Sequence, residues 1–491
     1  MSRTRPGFLL VCSLTFVLAG LTAATAQLKF TSASYDSGDY SGTQGAVSGD
    51  FNNDGVLDMV SVNAGTISFY KGLGGGKYAG AVSTTFPNYS GPVVAADFNR
   101  DGKLDLAVSC PNCSFLGNQI LIYFGNGDGT FTAGTGVVTS SVPGPLALAD
   151  FNGDHVPDVA VSECDTNLVC SIEVFLGQGD GTFKLGSTIS YGGGQVVAGD
   201  FNADGHQDLA VIHIQTYDTY QLAVLLGNGN GTFQNPLLAS FSYPVSLAVG
   251  DFYNNRIQSL VVLNYVYNDP NSAFYVTTAR YSKGALLVGS SEQVTTNGNY
   301  QFITAGDLNG DFLEDIALVG QGPVVPNPAA AYVLGKGNGT FQSPVNLTAF
   351  GQDEITPLIR DLNLDSRHDL SGGWTDNDSR YSTGGGVFAM VNNSATTNCN
   401  PPAANKLSVK ICAPTNGQTV GSTFTFKAAG NAFNGIAKRM ELWIDGKKIG
   451  QNLEDQLKIT TTMSAGKHTA SFVVVDSFDN YTSSAVSFTA N

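Results

Sequence analysis

The sequence predicts an all-β protein, a seven-bladed β-propeller followed by a β-sandwich. Three observations predict it. A nine-residue acidic motif recurs from Asp50 to Asp361 at a spacing of 47 (Asp50 to Asp97) to 56 residues (Asp251 to Asp307), the period of a four-stranded blade. Short apolar segments flank almost every copy. Only 13% of residues are charged, while 59 glycines punctuate the chain, a composition of short strands and tight turns rather than helical bundles. No long stretch of 3.6-residue apolar periodicity appears after the N-terminal segment.

Residues 1–26 read as an export signal. Arg3 and Arg5 precede an apolar run from Phe8 to Leu21, and Ala24-Thr25-Ala26 offers a cleavage site before Gln27. The run is short for a membrane span, and no later segment has ~18 consecutive apolar residues. The expected location is therefore secreted, cell-surface or periplasmic, with no transmembrane segment after cleavage. Export changes how cysteine reads. Cys110 and Cys113, Cys164 and Cys170, and Cys399 and Cys412 form three local pairs, and in an oxidising compartment such pairs predict disulfides.

The repeats read DFNNDGVLD from Asp50, DFNRDGKLD from Asp97, DFNGDHVPD from Asp150 and DFNADGHQD from Asp200. They continue as DFYNNRIQS from Asp251, DLNGDFLED from Asp307 and DLNLDSRHD from Asp361. Before a motif lies a strand such as PVVAA or PLALA; after it comes another such as LAVS or VAVS; a third follows, such as ILIYFG or IEVFLG. A glycine-rich tag, GNGDGTF or GQGDGTF, then supplies the positive φ angles of a turn into a fourth strand. The seventh repeat ends near GVFAMVNN without a clear fourth strand. The segment LKFTSAS at 28–34 is expected to supply it and close the ring.

Each intact motif places Asp, Asn, Asp and Asp at positions 1, 3, 5 and 9. The predicted metal ligands are Asp50, Asn52, Asp54 and Asp58; Asp97, Asn99, Asp101 and Asp105; Asp150, Asn152, Asp154 and Asp158. The later loops add Asp200, Asn202, Asp204 and Asp208; Asp307, Asn309, Asp311 and Asp315; and Asp361, Asn363, Asp365 and Asp369. Such oxygen-only sets suit Ca²⁺, with a backbone carbonyl at position 7 and glycine at position 6 for the turn. About six Ca²⁺ are expected. An EF-hand is excluded, because position 12 is Ser61, Val108 and Val161 in the first three loops, not Glu, and the flanks are strands. His155, Phe312 and Ser366 stand where glycine is expected and should strain the turn. The fifth loop, with Tyr253, Asn255 and Ser259 at three ligand positions, should hold no metal. Three aspartates in each intact loop account for the formal net charge of −16. The acidity reads as metal ligation, and no basic patch points to nucleic acid.

The Asp-rich loop followed by LGNGDGTF resembles the FG-GAP/VCBS repeats of integrin α-chain propellers and of many secreted bacterial proteins. The resemblance covers roughly 45–395, within a predicted propeller spanning 27–398. It implies calcium loops joining the first and second strands of each blade on one face, with ligands often bound on the other.

After Cys399 the sequence changes. A linker at 399–405 leads into alternating apolar and polar segments over 406–491. The module resembles bacterial Ig-like domains, particularly at MELWIDGKKIG, where Asp445-Gly446 predicts a hairpin turn. Trp443 is expected in its core.

The connections between second and third strands emerge opposite the calcium loops and are elaborate. They carry Tyr217, Tyr220, Tyr265, Tyr267 and Trp374, aromatics suited to glycan or protein recognition. The expected function is a non-catalytic binding or adhesion module for a glycan or an extracellular protein. The alternatives are a secreted polysaccharide-active hydrolase or lyase using carboxylates, and a purely structural surface component. Catalysis finds little in the sequence. Of five histidines, His155, His206 and His368 lie in the acidic loops, His468 in the C-terminal module, and His213 alone borders the opposite face.

Overall fold

A computed structural model describes residues 28–491, except 38–42, 64, 87–90, 114–116, 217–218, 268–272, 295–298, 322–328, 348–352, 364–367, 376–384, 395–398, 400–406, 432–436, 453–455 and 477–480. The expected export signal, Tyr217, Asp365 and Ser366 lie outside the described residues, as does all of the expected linker but Cys399. The described residues are strands, turns and bends without a helix, and none of them forms a helix long and apolar enough to cross a membrane.

The first sheet runs Thr43–Gly49, Asp58–Asn63, Thr66–Tyr70 and Val82–Thr85, each strand antiparallel to the last. The same meander recurs from Val93, Val142, Gly193 and Pro244. Two further meanders, from Asn299 and from Asp353, join into one eight-stranded sheet through a single residue pair, Gln321 opposite Asp353. The outermost strand of the second is Phe30–Asp36, paired antiparallel with Gly385–Asn392 in register from Phe30↔Asn392 to Asp36↔Gly386. The N-terminal strand thus completes the last meander, as expected.

Within each sheet the second strand is largely buried, with an apolar centre, because both of its faces are covered. Asp58–Asn63 is buried at every position, whereas Val82–Thr85 is exposed at every position. Successive side chains point to opposite faces, so one strand feeds two cores. Leu106 and Val108 pack with Val60 and Val62 of the first sheet, while Ala107 packs with Val159 and Val161 of the third. The clusters continue sheet by sheet, and the last joins Val387 and Ala389 to Met59 and Tyr70 of the first sheet. The succession returns to its start, a propeller-like arrangement.

Beyond residue 407 two sheets share one core. One holds Ser408–Ala413, Thr423–Asn431 and Gln456–Thr462; the other holds Thr419–Val420, Tyr481–Ala490, Gly466–Asp476, Ala437–Ile444 and Lys447–Asn452. Asp445 and Gly446 both adopt positive φ (50° and 79°), the hairpin turn expected. The disulfides Cys110–Cys113, Cys164–Cys170 and Cys399–Cys412 are all formed. The first two brace connections between second and third strands.

Candidate metal loops and the two faces beside them

Each acidic loop joins the first strand of a sheet to the second. In the first, Asp50 accepts hydrogen bonds from the backbone N–H of Asp54 (3.0 Å) and of Gly55 (2.7 Å). Asn52 Oδ1 accepts from Asp54 N–H, and Asp54 Oδ1 from Val56 N–H, both at 3.0 Å. The pattern repeats at Asp97, Asn99 and Asp101; at Asp150, Asn152 and Asp154; at Asp200, Asn202 and Asp204; and at Asp307, Asn309 and Asp311. Short polar side chains thereby wrap the chain around themselves.

That wrapping forces two residues per loop into the left-handed region. Position 6 was expected there, and His155 (φ 63°) and Phe312 (φ 69°) adopt it without glycine. Position 4 was not expected there. Asn53, Arg100, Gly153, Ala203, Asn254 and Gly310 all have φ between 49° and 79°. Four of the six are Asn or Gly, which adopt this conformation most readily, a partial signal that Arg100 and Ala203 interrupt. The fifth loop keeps the same backbone: Asp251 accepts from Asn255 and Arg256 N–H, and Asn255 Oδ1 from Ile257 N–H.

The position-9 aspartate has a role beyond the one expected. Asp58 accepts from Phe51 N–H (3.0 Å) and Gly72 N–H (2.7 Å), tying the start of the loop to the end of the third strand. Asp105, Asp158, Asp208, Asp315 and Asp369 make the same two ties. In the fifth loop Ser259 Oγ keeps one of them, accepting from Phe252 N–H. Burial pushes the carboxyls of Asp58, Asp105, Asp158 and Asp208 up to about 7, against the lowering effect of these N–H donors and with further raising by the aspartates at positions 1 and 5. Burial likewise raises Asp50, Asp97 and Asp200, and carries Asp307 to about 6.

The donor chemistry fits a hard divalent cation. Positions 1, 3 and 5 present oxygen only, and each carboxylate oxygen that accepts one N–H keeps lone-pair capacity. Among the described residues no group of three or more His, Cys, Asp or Glu side chains converges on one metal-holding point. The position-9 carboxylate, like those at positions 1 and 5, accepts backbone N–H groups and keeps lone pairs on its oxygens, so each intact loop offers three carboxylates and an amide oxygen. Nearby cations are few. Lys71 reaches Asp54 at 2.9 Å and Lys103 reaches Asp101 at 3.4 Å, and exposed pairs of this kind contribute little.

The glycine tag proves to be a latch between repeats. Gly129 N–H donates to Phe51 O, Gly181 to Phe98 O, Gly231 to Phe151 O and Gly339 to Phe252 O. Each tag phenylalanine meets the same partner edge-on, at 5.9 Å for Phe51–Phe131 and 5.4 Å for Phe98–Phe183. A methyl group on Gly129 would fall 2.3 Å from the Phe69 ring, so only glycine fits.

Two surfaces flank this layer. At the opposite ends of the strands, Tyr191 meets His213 (4.8 Å), Tyr220 meets Tyr243 (5.3 Å) and Tyr265 meets Phe274 (4.9 Å). Tyr267 stands 71% exposed beside them. Sequence reasoning named Tyr220, Tyr265 and Tyr267 but missed Tyr191 and Tyr243, which precede first strands rather than sit in the long connections. Trp374 stands at the same end of its own second strand. It is half-buried against the sixth and last meanders, its Nε1 buried without a hydrogen-bond partner among the described residues.

On the acidic-loop side the C-terminal module is seated. Lys427 and Lys458 lie over the Phe312 ring (5.8 and 5.0 Å), and Lys458 Nζ approaches Asp311 O at 3.4 Å. Arg256 lies against Gly450, where a Cβ would fall 2.6 Å from Nη1. Trp443, expected in the module's core, is instead half-buried on its outer face. Strand alternation sends Met440, Leu442 and Ile444 inward and Arg439, Glu441 and Trp443 outward.

Comparison with known proteins agrees with the repeat pattern. No curated protein matches the chain. Among solved structures, the fibronectin(III)-like modules of Clostridium thermocellum CbhA are 22% identical over 17% of this chain and 96% of their own, with a TM-score of 0.15. An Agrocybe aegerita lectin, described for recognition of non-reducing terminal N-acetylglucosamine, is 18% identical over 72% of this chain and 81% of its own (TM-score 0.34). AofleA from Arthrobotrys oligospora is 14% identical over 66% of this chain and 90% of its own (TM-score 0.40). Residues 29–108 and 200–262 match the FG-GAP-like repeat; the chain carries FG-GAP-like repeats in an all-β architecture.

Proposed function

We propose that this protein is a secreted, calcium-binding, seven-bladed propeller with an Ig-like C-terminal module, and that it binds a glycan or an extracellular protein without catalysis. The observation that carries the binding reading is the aromatic row formed by Tyr191, Tyr220, Tyr243, Tyr265 and Tyr267 over the third to fifth sheets. Ring pairs braced against one another present apolar faces with polar edges at little entropic cost, as recognition surfaces do. The disulfide Cys164–Cys170 stiffens the adjoining connection and supports an extracellular setting. Calcium, held by positions 1, 3, 5 and 9 of six loops, supplies the counter-charge that those carboxylates lack.

The test is a glycan and extracellular-protein array probed in calcium and in chelator, with the variant Tyr220→Ala/Tyr243→Ala/Tyr267→Ala alongside. Loss of the strongest signal in the variant, with an unchanged melting temperature, is expected. Undiminished binding by a folded variant, or turnover on a polysaccharide panel, would overturn the reading.

A further inference from the structure

The charges of the propeller are divided between its two ends. In the sequence, the connections between second and third strands hold Asp165, Asp218, Asp269, Asp376 and Asp378 and a single cation, Arg380. Lys71, Arg100, Lys103, Arg256, Lys283 and Lys336 stand instead in the acidic loops and in the turns after third strands. None of those five aspartates belongs to an acidic loop, so calcium bound there leaves their charge uncompensated. Of the five, Asp165 lies among the described residues. Its Oδ1 accepts the backbone N–H of Val169 and of Asn167, both at 2.8 Å, and these bonds hold its carboxyl below the usual aspartate range. Among the described residues its Oδ2 receives only the Asn167 side-chain amide, at 3.3 Å. The disulfide Cys164–Cys170 sets this connection against the segment that carries Tyr191. A Cβ on Gly193 would fall 2.8 Å from Cys164 Sγ and 2.9 Å from Cys170 Sγ. His213, the ring partner of Tyr191, adds no charge at neutral pH, because burial lowers its pKa.

Charge complementarity selects the occupant of the aromatic row. An anionic ligand is repelled at this end. An ammonium is attracted both by a carboxylate and by the negative face of a tyrosine ring. A pyranose ring presents an apolar C–H face to the same rings. A polymer repeats both features along its length, as Tyr191 and Tyr243 repeat ahead of the successive first strands Gly193–Gly199 and Pro244–Gly250. A basic peptide carries its charge on flexible stems that cost entropy to order, and it lacks the rigid C–H face. We infer that the row, read as the recognition surface proposed above, binds a glycan whose sugars carry free amines, a glucosamine-type polymer. Tyr243, 40% exposed, and Tyr267, 71% exposed, take its C–H faces, and Asp165 takes an ammonium.

The full chain is titrated by calorimetry in excess calcium with the glucosamine tetramer and hexamer, with their N-acetylated counterparts and with oligolysine. The amine oligomers should bind about tenfold tighter than the acetylated ones, and added salt should narrow the gap. Tyr267→Ala, at an exposed position outside any core, should weaken both by about tenfold, the scale of losing an aromatic anchor. Asp165→Asn keeps an Oδ1 for both backbone donors, so the connection stays folded. It should weaken the amine oligomers about threefold and leave the acetylated ones unchanged. No binding of the amine oligomers, equal affinity for the acetylated ones, tighter binding of oligolysine, or an unmoved amine affinity in Asp165→Asn would overturn the inference. If Tyr267→Ala still weakens the best ligand in those cases, the row stands as a recognition surface for another class. Full affinity in Tyr267→Ala and in the triple tyrosine variant would remove the row itself, and the inference with it.

Discussion

At the scale of single residues, the position-9 aspartate does two jobs where sequence showed one. Its place in an acidic motif reads as a metal ligand, and Asp58, Asp105, Asp158 and Asp208 are also buried acceptors for at least two backbone N–H groups each. Removing the acceptor strands both donors, so Asp105→Ala should cost about 1–3 kcal/mol for each donor left unpaired, measured by urea unfolding in excess chelator, where no metal contributes. The pH response follows from the same groups. Their folded-state pKa of about 7 lies above the ordinary aspartate value near 3.9. The metal-free folded state therefore holds protons that the unfolded chain has released. That contribution is complete below about pH 4 and is lost as pH rises through about 7. Melting temperature in chelator should fall between pH 5 and pH 8, and calcium should flatten the slope. A rising melting temperature over that interval in chelator would refute the assignment. The motif's letters exposed the ligand types; the left-handed backbone at position 4 was only half legible, signalled by Asn53, Gly153, Asn254 and Gly310 but masked by Arg100 and Ala203.

At the scale of elements, strand order was legible because burial on both faces writes an uninterrupted apolar run, and the turn tag writes its glycines. The latch between tag and preceding repeat was not legible. It joins residues one repeat apart, such as Phe131 with Phe51, and no local pattern records a partner about a blade away. Phe131→Ala should cost about 3 kcal/mol or more, as for other buried phenylalanines, and Gly129→Ala should also destabilise, since it places a methyl group against Phe69 at a φ of 85°. Denaturant unfolding checks both; a neutral Gly129→Ala would show that the latch does not bear on stability. The position of Trp443 was misread for a related reason. Apolar character argued for the core, but alternation from Met440 decides the face, and Glu441 beside it supplies a partner for the indole N–H.

At the scale of the whole molecule, the acidic loops and the seat of the C-terminal module share one face. A ligand that binds only the folded state stabilises it by about 2.7 kcal/mol per site at a concentration one hundred times its Kd. Adding chelator at pH 7.5 should therefore lower the melting temperature, and an unchanged one would remove calcium from the account. The seat of the C-terminal module depends on Phe312, a residue that breaks the loop's glycine rule and was expected only to strain it. Phe312→Gly should relieve that φ yet loosen the module, seen as faster proteolysis around residue 405 with the repeat region intact. The closing strand has a mechanical consequence. Phe30 lies opposite Asn392, and the pairing continues outward as Asn393 N–H to Lys29 O and Lys29 N–H to Ser394 Oγ. Both chain ends thus leave the ring from the same end of one antiparallel pair. Tension between the N-terminus and the C-terminal module loads those bonds one after another, like a zip, so the ring should open at this seam at low force while every other sheet remains folded.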